Sequence, residues 1–199
     1  MQTASVDQAA NQALGCFQRG EFAQAQALCQ QILSRQAHPL ALLLMGIMSR
    51  QSGQLGAALE FLQRAAAVDA SNAGIHQELG RTLEALGQLD SAIAAYRQAI
   101  ALAPKVAGIY TDLGIALKSA GRIDEAIETY RQALRLDPTL VGARNNLGLA
   151  LTRIGRFGEA VACLRELLAA QPRFAEGHVN LGQALAQSGQ LDEAILAFR

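Results

Sequence analysis

The stretch that decides the fold is residues 107–140, AGIYTDLGIALKSAGRIDEAIETYRQALRLDPTL. Its apolar residues fall in two runs, Ile109, Leu113 and Leu117, then Ile123, Ala126, Ile127, Tyr130, Ala133 and Leu134. Steps of three and four place side chains on one stripe of a helix, so each run predicts an amphipathic helix. Gly121 stands between them, where the first helix must end and the chain reverse, because glycine enters the left-handed region without a Cβ penalty. Asp124 and Glu125 follow at once and complement the positive end of the second helix dipole. Pro138 stops that helix: its ring removes an amide donor and biases the preceding residue away from α.

The same pattern extends in both directions. Leu79-Gly80, Leu113-Gly114, Leu147-Gly148 and Leu181-Gly182 are spaced by 34 residues. The same spacing links Ala58, Ala92, Ala126, Ala160 and Ala194, and again Gly53, Gly87, Gly121, Gly155 and Gly189. Pro104, Pro138 and Pro172 close consecutive units, and Leu62, Tyr96, Tyr130, Leu164 and Phe198 lie four residues after each repeated alanine. Self-similarity at a fixed period marks a repeat architecture. Gly114 and Ala126 mark where the two helices of a unit cross, and a larger side chain there would force them apart at about 1–3 kcal/mol.

This arrangement resembles the tetratricopeptide repeat family, with Leu-Gly, a turn glycine, an alanine, an aromatic residue, a further alanine and a closing proline in order. The resemblance covers nearly the whole chain. It implies an all-α fold, a right-handed superhelical solenoid of antiparallel helix pairs. Full repeats read as 39–72, 73–106, 107–140 and 141–174, with a degenerate repeat at 6–38 and a partial one at 175–199. In the first repeat Ala13, Gly20, Ala25 and Cys29 fit the motif, but the step to Gly46 needs a one-residue deletion. The chain stops at Arg199, one residue past Phe198 and part-way through a second helix, and therefore reads as a fragment of a longer protein.

Composition narrows the function. Of 199 residues 51% are hydrophobic, too many for a disordered chain, and Lys plus Arg match Asp plus Glu at 17 each. No net field draws nucleic acid or anionic lipid, and no apolar run approaches the roughly 20 residues that span a bilayer. A soluble cytoplasmic protein is expected. Cys16, Cys29 and Cys163 are odd in number and unpaired in spacing, against a disulfide framework or a zinc site. No nucleophile motif, phosphate loop or metal-ligand pattern occurs, so neither catalytic residues nor cofactors nor metals are expected. His76 and His178 share a repeat position and read as packing residues.

What the resemblance implies about binding rests on the first helix of every repeat lining a concave groove. Its residues around Leu-Gly are Leu40, Leu43, Leu44 and Ile47, then Gln77, Glu78 and Arg81, then Asp112, then Asn145 and Asn146, then Asn180 and Gln183. Asn146 and Asn180 directly precede Leu-Gly, similar to the asparagine ladder of O-linked N-acetylglucosamine transferases, where such amides grip a peptide backbone. Gly74, Gly108 and Gly142 fall near the start of three successive first helices and either widen the groove rim or merely cost little there. Leu40, Leu43, Leu44 and Ile47 make their helix apolar all round, since Leu42, Met45 and Met48 already supply a core face. Either the degenerate repeat folds over them or a second chain does. The leading expectation is a module that binds a peptide or partner protein. The alternatives are an assembly scaffold that forms a homo-oligomer through the leucine cluster, and the targeting arm of a larger bacterial glycosyltransferase or sulfotransferase.

Overall fold

The computed structural model describes residues 2–198, and among these the regular structure is twelve α-helices. The chain divides into two units after Ala103. The first holds α1 (Gln2–Gln18), α2 (Phe22–Leu33), α3 (Pro39–Gln51), α4 (Leu55–Val68), α5 (Ala73–Ala85) and α6 (Leu89–Leu102). The second holds α7 (Ala107–Ser119), α8 (Ile123–Leu136), α9 (Val141–Arg153), α10 (Phe157–Ala170), α11 (Ala175–Gln187) and α12 (Leu191–Ala197).

Each odd-numbered helix packs against the even-numbered helix that follows it. The reversal between them is the same in every pair. Gly121 sits at φ 78°, its N–H donates to the Lys118 carbonyl, and the Arg122 N–H donates to the Leu117 carbonyl. These two bonds satisfy carbonyls that the helix end would otherwise leave bare.

The repeated Leu-Gly is a contact device. A Cβ added at Gly46, Gly80, Gly114, Gly148 or Gly182 would meet Leu62, Tyr96, Tyr130, Leu164 or Phe198 at 2.4–2.6 Å. Tyr96, Tyr130, Leu62 and Leu164 are wholly buried. The glycine therefore removes its own side chain to admit a large one from the second helix. In the α1–α2 pair the exchange runs the other way: Ala13 stands at the glycine position and Cys29 at the large one, both at 0% exposure in one core cluster. The deletion in that pair lies at the end of α2, which is two residues shorter than α4 and is followed by a connection one residue longer.

A second device joins each closing segment to the next first helix. His76 Nε2 pairs with the Ala70 carbonyl at 2.9 Å, Tyr110 Oη donates to the Pro104 carbonyl at 3.0 Å, Arg144 Nη2 to Pro138 at 2.9 Å, and His178 Nε2 pairs with Pro172 at 2.9 Å. A carbonyl only accepts, so both histidines carry their proton on Nε2.

The leucine-rich helix α3 is covered from within. Leu44 is buried in a cluster with Ala10 and Ala13 of α1 and Cys29 and Ile32 of α2, and Leu40 packs on the same cluster. Leu43 packs instead on the cluster around Leu62 and Ile75. Leu43 and Ile47 stay half-buried. Leu44 is thus a core residue: of the two covers expected for this helix, the degenerate repeat supplies the one at Leu44.

Candidate functional site

First helices meet first helices. Within the units the backbones of α1 and α3, α3 and α5, α7 and α9, and α9 and α11 come close, whereas among the described residues successive second helices of a unit stand further apart and meet only through side chains, Arg131 with Glu159 and Arg165 with Glu193. The first helices therefore form a close-set row in each unit, and the groove candidates lie on that row.

In the first unit Glu78 is buried and held from two sides. Arg50 donates to its Oε2 through Nη2 at 2.9 Å and Nε at 3.2 Å, and Arg81 Nη1 donates to its Oε1 at 2.8 Å. A ligand contact was expected of Glu78, but its carboxylate is engaged in tying α3 to α5. Gln77 and Arg81 are half-buried beside it.

In the second unit Lys118 Nζ donates to Asn146 Oδ1 at 2.6 Å, and Asn146 Nδ2 donates to the Gly142 carbonyl at 2.9 Å. Asp112 is half-buried on α7. Asn145 and Asn180 are buried at 4% and 6% exposure and bond to each other, Asn180 Nδ2 donating to Asn145 Oδ1 at 2.7 Å. Asn145 Nδ2 in turn donates to Glu176 Oε1 at 2.9 Å. The paired amides are therefore Asn145 and Asn180, and Asn146 belongs to a separate bond with Lys118. Gln183 is exposed one turn beyond Asn180. Glu176 was missed from sequence. Its signal was the departure from glycine at a position held by Gly74, Gly108 and Gly142 in the three preceding repeats.

Among the described residues no three His, Cys, Asp or Glu side chains are grouped to hold a metal ion. Burial pushes the Cys29 and Cys163 thiols up to about 11, which suppresses the thiolate that nucleophilic chemistry needs. Iodoacetamide at pH 8 is accordingly expected to label Cys29 at least about a hundredfold more slowly in the folded protein than in urea, as mass spectrometry would record. No helix among the described residues is long and apolar enough to cross a membrane.

A row of first helices, a glycine-ended turn in every pair and a 34-residue period define a helical-repeat protein. The tetratricopeptide repeat family model matches residues 11–73, 78–141 and 145–199, and the chain belongs to that family. No curated protein matches the chain in sequence. Among solved structures, a tetratricopeptide repeat protein from Parabacteroides merdae ATCC 43184 superposes with a TM-score of 0.78 at 17% identity, over 98% of this chain and 77% of that one. The MamA protein superposes at 0.74 with 23% identity, over 80% and 87%. YrrB superposes at 0.69 with 19% identity, over 80% and 82%. At these identities the likeness is one of fold.

Proposed function

We propose that this chain is a protein-recognition module without chemistry of its own, which takes an extended segment of a partner along its row of first helices. The observation that supports it is the contact pattern: within each unit the first helices lie side by side, and Gln77, Arg81, Asp112 and Gln183 on them are half-buried or exposed. A carboxamide offers both donor and acceptor, which suits a peptide backbone whatever its side chains. YrrB is described as a tetratricopeptide repeat protein with an unusual peptide-binding site, and a peptide-binding role here agrees with that.

Random short peptides displayed on phage and selected on the intact chain test the reading. Selected peptides are expected to shift amide NMR signals of α7, α9 and α11. Shifts confined to α8, α10 and α12, or failure to recover any binding peptide, would refute it.

A further inference from the structure

The bonds around Asn145 fix the direction of two amides. Glu176 presents a carboxylate, which only accepts, so the Asn145 side chain must turn its NH2 group toward it. The Asn145 Oδ1 then faces Asn180 and receives its Nδ2 hydrogen at 2.7 Å. Asn180 has no freedom to flip: its NH2 is drawn to Asn145, and its Oδ1 is left pointing away from the pair. A carboxamide alone reads either way round. Here a third residue decides.

Glu176 itself is exposed and forms no ion pair among the described residues. It lies one turn before Asn180 on α11, at the i, i+4 separation that makes side chains neighbours on a helix surface. Favouring the helix dipole does not account for it, since α5, α7 and α9 carry glycine at the same place and form equally well. A carboxylate with one oxygen outside the Asn145 bond, and an amide whose oxygen is turned from Asn145, thus stand one turn apart on α11 as two acceptors.

We infer that Glu176, through Asn145, sets Asn180 as a hydrogen-bond acceptor, and that this part of the row seats a lysine or arginine side chain of an extended peptide. The inference rests on the peptide-binding reading above. The basic group donates to the free Glu176 oxygen and to Asn180 Oδ1 together, and Glu176 acts both as a contact and as a positioning residue. Asn146 takes no part, because Lys118 occupies its oxygen.

The same displayed library supplies the test. Peptides selected on the intact chain are expected to carry Lys or Arg, and Glu176→Gln is expected to weaken them about tenfold, as does norleucine in place of the peptide's lysine. The two losses should not add. Glu176→Gly, which copies the neighbouring repeats, should behave like Glu176→Gln while keeping the helical signal of the intact chain. Without any peptide present, Glu176→Gln should also shift the side-chain NH2 signals of Asn145 and Asn180 and leave those of Asn146 in place. Peptides that bind along α7, α9 and α11 but are indifferent to Glu176→Gln and Glu176→Gly would overturn this inference and leave the recognition module standing. Failure to recover any binding peptide would remove both.

Discussion

Gly114→Ala is expected to lower stability by about 1–3 kcal/mol, the usual cost of forcing a methyl into a packed core. The added Cβ would stand 2.4 Å from Tyr130 Cε1 and 2.7 Å from Cδ1, and the ring is wholly buried with no room to withdraw. Tyr130→Cys is expected to cost roughly 3–5 kcal/mol, since it leaves a cavity where an aromatic side chain stood. The chain already contains the combined answer. In the α1–α2 pair alanine and cysteine share the two positions and both are fully buried. Gly114→Ala with Tyr130→Cys should therefore cost less than the two separately, by about 1 kcal/mol or more in a double-mutant cycle followed by urea denaturation. Strict additivity would mean that the glycine is retained for some reason other than the ring facing it.

That contact also explains how the fold came to be legible. Every pair reverses at a left-handed glycine, and every pair but α1–α2 admits one large side chain opposite a second glycine, so those pairs repeat the same glycines and the same alanine. Such needs are local and write themselves into every period. The row of first helices is different, because its residues answer to neighbours in the adjacent repeat rather than to a shared motif. Reading positions 34 residues apart suggested that Asn146 and Asn180 form a ladder. The bonds instead run at other spacings. On the first helices Arg50 reaches Glu78 and Lys118 reaches Asn146, both 28 residues on, and Asn180 reaches back 35 to Asn145; on the second helices Arg131 reaches Glu159 and Arg165 reaches Glu193 at the same separation of 28. Neighbouring first helices are staggered, so the last turn of one faces the middle of the next. Complementary polar pairs recurring at 28 were present in the sequence, six short of the period, and this was the signal to seek. Chemical unlikeness hid part of a second regularity: the imidazoles of His76 and His178, the phenol of Tyr110 and the guanidinium of Arg144 have in common a donor long enough to reach the carbonyl six residues earlier.

The stagger gives Glu78 a role that a stability measurement separates from ligand binding. Glu78→Ala is expected to cost about 1–3 kcal/mol, because it leaves the Arg50 guanidinium, with 25% of its side chain exposed, without the carboxylate that it contacts through two nitrogens. A fully buried pair broken in this way loses roughly 3–5 kcal/mol, and residual solvent at Arg50 explains the smaller figure. Replacing both partners is another matter. Leucine already stands at the equivalent position of the preceding repeat, as Leu44, where it is buried. Arg50→Met with Glu78→Leu removes both charges together and should recover most of the loss, since the desolvation cost of the pair disappears with its attraction. Urea denaturation of the two single variants and the double decides between the two roles. If Glu78→Ala is as stable as the intact chain, the carboxylate is a surface group available to a ligand; if only the single variants are weakened, it is the staple that sets α3 against α5.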